Sequence, residues 1–251
     1  MDDTFYYILA RRYDVIQSDM DTRKWASYIM DLIKKHSQIE NGGKSLVDLG
    51  CGTGSVDVHF TDVFEVTGID NAEEMLIEAA SREGGEDIIW SLQDITDFEI
   101  PFKADVFVSL LDTLDHITDP EALEKVFANV YENLNPGGVF VFDVITEKHL
   151  AETFADNVFF YDYDEFTLLW VNEYDEETGF NTANLTFFEE AEDGLYRRYD
   201  GELVERFYSV ADLEAIAGKA GFKLLGLYGE LSDKAPSETE ERIFMVMGKD
   251  I

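Results

Sequence analysis

The stretch Val47-Asp48-Leu49-Gly50-Cys51-Gly52-Thr53-Gly54 decides how this chain is read. An apolar strand runs into three alternate glycines, and residues 55–64 follow as an expected helix. Glycines so arranged permit a tight turn and let the backbone approach a ligand closely. A dinucleotide fingerprint needs its third glycine at position 55, where this chain has Ser55. With Gly54 one residue early, the loop is a poor cradle for a pyrophosphate.

Outward from the loop, strands alternate with helices. Strands are expected at 45–49, 65–69, 88–92, 105–110 and 139–144, with helices at 72–80 and 123–134. In the latter helix Leu123, Val126, Phe127, Val130, Tyr131 and Leu134 share one face, and Asn135-Pro136-Gly137-Gly138 stops it. Upstream, Trp25, Ile29, Leu32, Ile33 and His36 fall on one face of a helix that Gly42-Gly43 should end. Residues 157–208 differ: apolar runs flank the turn segments Asp175-Glu176-Glu177-Thr178-Gly179 and Ala191-Glu192-Asp193-Gly194, a hairpin pattern. A helix at 211–220 and strands at 223–229 and 242–248 complete the chain. The expected fold class is α/β, a doubly wound, mostly parallel sheet with a four-stranded antiparallel insertion. That insertion should lie above the carboxyl ends of the sheet strands, where such folds bind ligands.

Two acids fall in register with the loop. Asp70 closes the second strand, placed to accept hydrogen bonds from ribose hydroxyls, and Asp94 follows the third, placed to receive an adenine amino group beside Ile95. The Asp70 spacing fits any adenosine cofactor; the glycine spacing with Asp94 favours one without a pyrophosphate.

The 251 residues carry 54 acids and 19 bases, a formal charge of −35. Such a surface repels phosphate backbones and anionic lipid, so neither nucleic acid nor membrane is an expected partner. Cys51 is the only cysteine, and His36, His59, His116 and His149 are scattered, so no disulfide framework and no metal site is expected. The start MDDTFYY is acidic where a secretory signal is basic, and apolar runs such as 139–142 are too short to span a bilayer, which predicts a cytoplasmic protein.

The glycine motif, Gly68-Ile69-Asp70 followed by Glu74-Met75-Leu76, then Gln93-Asp94 and Leu134-Asn135-Pro136-Gly137-Gly138, resemble the class I S-adenosylmethionine-dependent methyltransferases over nearly the whole chain. Tyr13-Asp14, 175–179, 194–198 and Glu241-Arg242-Ile243-Phe244 are similar to a bacterial subgroup of unassigned substrate related to sugar-amine N,N-dimethyltransferases. The resemblance implies a seven-stranded sheet in a single domain. Residues 1–40 would be a helical cover, 41–150 and 209–251 the cofactor core, and 151–208 a lid. It also implies that Asp48, Gly50, Cys51, Gly52 and Gly54 surround the methionine part of S-adenosylmethionine. Asp70 would take the ribose, with Asn71 and Met75 near the adenosine. Asp94 and Ile95 would take the adenine, and Leu110 would underlie the sulfonium. Tyr13, with Trp25, would close over the cofactor.

Methyl transfer from a sulfonium is an in-line displacement that mainly requires positioning, plus a base when the acceptor arrives protonated. Asp112 and His116, with Asp115 between them, follow the fourth strand as candidate bases, and Tyr13 joins Asp112 and His116 as a catalytic candidate. Trp170, Arg198, Arg206 and Arg242, with Arg197, are candidate substrate contacts, since arginine is scarce here and binds carboxylate or phosphate well. The expected activity is methyl transfer to a nitrogen or oxygen of a small molecule, by a monomer or homodimer. A cofactor-binding protein without catalysis and a nicotinamide-dependent oxidoreductase are the alternatives.

Overall fold

The computed structural model describes residues 3–40 and 43–251. A seven-stranded sheet runs β10-β11-β5-β4-β1-β2-β3, with β1 (Ser45–Leu49), β2 (Glu65–Asp70), β3 (Ile89–Leu92), β4 (Ala104–Ser109), β5 (Leu134–Ile145), β10 (Lys223–Gly229) and β11 (Arg242–Gly248). Only β11 runs against its neighbours, antiparallel to both β5 and β10. Two buried layers cover the two faces. On one, α4 (Pro120–Asn133) and α5 (Val210–Ala220) pack through Leu123, Phe127, Leu213 and Ile216. On the other, α2 (Thr22–His36) inserts Trp25, Ile29, Leu32 and Ile33. Both faces being covered explains the near-continuous apolar run of 139–145.

The insertion is a separate four-stranded antiparallel sheet, β6 (Val158–Asp162), β7 (Phe166–Asp175), β8 (Phe180–Glu190) and β9 (Tyr196–Arg206). Its inner face packs Phe166, Leu168, Leu185 and Phe187 onto Phe5, Ile8 and Leu9 of α1 (Asp3–Ile16). The amino-terminal forty residues therefore hold two helices, one under the main sheet and one under the insertion. Strand order reverses between β1 and β4, the switch point at which an open sheet leaves a crevice beyond its strand ends.

Three expectations are corrected. Residues 55–64 hold only a short 3₁₀ turn, Asp57–His59, not a helix. Val56 and Val58 are stiff β-branched residues, and the Asp57 side chain turns inward to hydrogen-bond Asp48. The helix of α2 ends at His36, where Ser37 becomes extended, well before Gly43; Gly42 lies outside the described residues. The fourth helix stops at Asn133, and β5 already begins at Leu134, which pairs with Ala104 ahead of an irregularity that lasts until Val139 pairs with Val106.

Candidate active site

The crevice at the switch point holds a cleft of about 420 Å³, within the usual range of roughly 300–1,000 Å³ for small-molecule sites. A smaller pocket of about 40 Å³ lies beneath the glycine loop, lined by Asp48, Cys51, Asp57 and Leu110 among others. Tyr13, Gly50, Gly52, Leu111 and Thr113 border both.

The loop is shaped by local backbone chemistry. Gly50, Gly52 and Gly54 all have positive φ, and the N–H groups of Gly50 and Cys51 donate to Ile69 O at 2.7 and 3.1 Å. A Cβ on Gly52 would meet nothing within 4 Å, so its face is open toward bound molecules. Gly54 is different: a Cβ there would lie 2.3 Å from the Trp90 ring, so this glycine makes room for an indole.

Beneath the loop, Asp48 and Asp57 are both buried and hydrogen-bonded to each other, and each leaves Oδ1 without a partner. Burial pushes both carboxyls up, and repulsion from Asp57 raises Asp48 further. A buried acidic pair with orphaned oxygens suits a cationic guest such as an α-ammonium. Burial also raises the Cys51 thiol, so it remains a thiol. Asp70 accepts N–H bonds from Gly52 and Ala72, each at 2.8 Å, and burial lifts its carboxyl despite them. Asn71, Met75, Asp94 and Ile95 complete the far wall, with Asp94 Oδ1 held by the Thr96 N–H at 2.8 Å. Along the crevice lie a buried acidic pair, an acid at a strand end and an acid beside an apolar side chain.

Of the cofactor candidates, all but Gly54 line one of the two pockets. Tyr13 reaches both, and burial together with Asp112 raises its phenol, so it stays a hydrogen-bond donor. Trp25 lies instead below the sheet, 5.2 Å from the Phe244 ring.

His116 lines the cleft. Its Nδ1 sits 3.1 Å from Val204 O, and a carbonyl only accepts, so Nδ1 bears the proton. In the neutral ring Nε2 is then the basic nitrogen, 3.9 Å from Glu205 Oε1. Glu205, buried on β9, is held by Asn181 Nδ2 at 3.1 Å. Asp112 does not border the cleft; it pairs with Arg242.

The arginines are spent elsewhere. Arg198 pairs with Asp200 on its own exposed strand face. Arg206 donates to Thr118 O at 2.9 Å and lies over the Phe180 and Tyr208 rings. Arg242 pairs with both Asp112 and Asp143. Trp170 packs among Phe154 and Phe159, its Nε1 donating to Asn172 Oδ1 at 2.9 Å. None of these four borders the cleft.

The sequence does not single out Asp57, Asp143 or Glu202–Val204 of the insertion, which also borders the cleft. For Asp143 a signal exists: an acid inside a continuous apolar strand has to be paired. Among the described residues, no group of three or more His, Cys, Asp or Glu is placed to hold a metal, and no helix is long and apolar enough to cross a membrane.

The profile of a methyltransferase domain family matches residues 17–227. A putative methyltransferase of Geobacillus sp. (strain WCH70) is 28% identical over 248 residues, covering 97% of this chain and 99% of that protein. The crystal structure of an S-adenosylmethionine-dependent methyltransferase from Clostridium acetobutylicum superposes with a TM-score of 0.84 at 28% identity, covering 98% and 99%. A dTDP-3-amino-3,4,6-trideoxy-alpha-D-glucopyranose N,N-dimethyltransferase of Streptomyces venezuelae is 33% identical over 132 residues, 52% of each chain.

Proposed function

This chain belongs to the methyltransferase domain family and is an S-adenosylmethionine-dependent methyltransferase, and from that premise we propose that it methylates an amine nitrogen of a small molecule. Membership sets aside the nicotinamide-dependent alternative and the binding protein without catalysis. The observation that carries the amine reading is the charge of the cleft. Beyond Asp70 and Asp94, which the cofactor would engage, Glu202 faces it, and His116 is the only basic side chain among its described lining residues. An amine enters such a cleft as an ammonium drawn by carboxylates; a phosphate or carboxylate acceptor is repelled. The Streptomyces relative is named for a nucleotide-linked amino sugar. The acidic lining here supports an amine free of a diphosphate.

When bound, S-adenosylmethionine supplies a methyl group on a sulfonium. The chain's own part is placement and proton handling. Asp48 and Asp57 would hold the cofactor's ammonium in exchange for the proton they otherwise share. Asp70 would accept from the ribose, while Asp94 and Ile95 would take the adenine. Tyr13 and Leu110 shape the wall between cofactor and acceptor. His116 Nε2 takes the proton of the acceptor ammonium, freeing the nitrogen lone pair, and Glu205 faces the imidazolium that results. Residues 151–208 act as a lid, and the whole chain works as one domain in the cytoplasm.

The test is release of S-adenosylhomocysteine from the purified protein with a panel of amines, alcohols, carboxylates and nucleotide-linked amino sugars. The expected result is turnover with free amines, with fragmentation mass spectrometry locating the methyl group on nitrogen. Turnover confined to hydroxyl or carboxyl acceptors would overturn the reading.

A further inference from the structure

The turn after β4 carries two consecutive non-glycine residues in the left-handed region, Leu111 at φ +59° and Asp112 at φ +66°. That conformation is unfavourable for any side chain with a Cβ, and for a residue as bulky as leucine it is an outlier. Such backbone persists only where its surroundings over-determine it. Here the surroundings are specific. Asp143, fully buried on β5, accepts the Leu111 N–H at Oδ1 (2.8 Å) and the Asp112 N–H at Oδ2 (3.2 Å). Successive N–H groups converging on one carboxylate form an anion-binding concavity. Arg242, at the start of β11, pairs with the carboxylates of both Asp143 and Asp112, and its guanidinium lies 5.5 Å from the centre of the Trp25 ring. Three elements, β5, β11 and α2, are thereby fastened to one strained turn.

The turn matters because of what it borders. Leu110 lines the pocket beneath the glycine loop, and Leu111 and Thr113 line both that pocket and the cleft. Neither Asp143 nor Arg242 reaches either space. We propose that Asp143 and Arg242 are positioning residues for methyl transfer, a buried clamp that holds Leu111 and Asp112 left-handed and so fixes the wall shared by cofactor and acceptor. The proposal rests on this cleft being the cofactor site and is independent of the acceptor's identity. Arg242 is on this account an internal brace and not a ligand for the substrate's charge.

The test uses S-adenosylhomocysteine as the probe, so that no acceptor is needed. Its affinity is measured by calorimetry for the full chain, Arg242→Gln, Leu111→Gly and the double variant. Glycine takes positive φ freely, so Leu111→Gly relieves the bulkier of the two left-handed residues and lessens the dependence on the clamp. Arg242→Gln is expected to weaken binding about tenfold or more in the natural background and less than about threefold beside Gly at 111, a coupling of the size seen for residues sharing one backbone shift. Protection of the Leu111 and Asp112 amides against hydrogen exchange should fall in Arg242→Gln. If Arg242→Gln does not fold, Arg242→Lys, which keeps the charge and loses the planar fork, carries the same comparison. Equal cost in both backgrounds, or unchanged affinity in a folded Arg242 variant, overturns the clamp. A chain that binds no S-adenosylhomocysteine in any form, the natural one included, would instead overturn the assignment of the cleft.

Discussion

Asp70 Oδ2 accepts the backbone N–H of Gly52 at 2.8 Å, so the end of β2 holds the tip of the glycine loop. The same carboxylate receives the Ala72 N–H at Oδ1, also at 2.8 Å, just ahead of α3 (Glu73–Ser81). Each oxygen keeps a further lone pair, and the residue faces the cleft. Asp70→Ala should weaken S-adenosylhomocysteine binding about 10- to 100-fold, since bonds to a charged acceptor contribute roughly 1.5–3 kcal/mol each. It should also lower the melting temperature, because two backbone donors lose their partner. Calorimetry beside a melting curve separates the two effects. A lower melting point with undiminished affinity would remove Asp70 from the ribose site.

Acid pairs buried without ligand set the pH response. Burial pushes Asp57 up to about 7, and burial against the pull of Arg242 leaves Asp143 at about 6. Such groups bind a proton in the folded chain where the unfolded chain has released it. Their stabilising contribution is present below about pH 4 and is lost as pH rises through about 6 to 7. The ligand-free protein should therefore melt several degrees lower at about pH 8 than at about pH 5.5, at about 2–4 °C per kcal/mol for this chain length. Added S-adenosylhomocysteine should stabilise more at the higher pH, its ammonium replacing the shared proton. Asp48→Asn should flatten the slope. Scanning calorimetry across that range gives the answer, and a melting point that rises with pH there contradicts the account.

His116→Gln should depress turnover of the best amine from the acceptor panel by about 100-fold or more, the usual range for a positioned base. Affinity for S-adenosylhomocysteine should stay within about threefold, because the cofactor's groups are met by the opposite wall. Steady-state kinetics with calorimetry checks both. Undiminished turnover would make positioning alone sufficient and leave the imidazole without a chemical part.

Gly54→Ala should destabilise the fold by about 2–5 kcal/mol, combining a left-handed alanine with overpacking against Trp90. Trp90→Ala in the same chain should recover the packing part alone. Chemical denaturation of the single and double variants measures the split. A neutral Gly54→Ala would mean that this glycine is free to face the ligand after all.

The sheet was legible because its evidence is periodic: buried strands read as apolar runs, and the covering helices as one-sided stripes. The glycine loop with Asp70 and Asp94 was legible because spacing along the chain maps directly onto strand ends. Residues 55–64 were not, because Asp57 is drawn inward by Asp48, a tertiary contact that leaves no local pattern. The arginines divide instructively. Arg198 and Asp200, two apart on one strand, share a face, so their pairing follows from the alternation of a strand. Arg242 meets Asp112 and Asp143 across 130 and 99 residues of sequence, which no window can reveal.

The cover helix α1 has a consequence for the order of events. Its Tyr6, Leu9 and Tyr13 border the cleft, and Asp14 at its far end is fastened to the glycine loop. Thr53 Oγ1 donates to Asp14 Oδ1 at 2.7 Å, and Arg82, which also donates to Thr53 O at 2.9 Å, pairs with Asp14. The cofactor's seat is thus bolted from above at Asp14, while the side walled by His116 and Val204 is joined separately, by the His116 Nδ1–H to Val204 O bond at 3.1 Å. Exchange of spent cofactor is expected to require the Asp14 bolt to open, whereas exchange of acceptor leaves that bolt closed. The enzyme should accordingly follow a compulsory sequence, cofactor first on and S-adenosylhomocysteine last off. S-adenosylhomocysteine should then compete with S-adenosylmethionine and inhibit noncompetitively against the acceptor, and Arg82→Met should quicken its departure in stopped-flow traces. A random order of addition in product-inhibition kinetics would show that the roof opens as readily as the door.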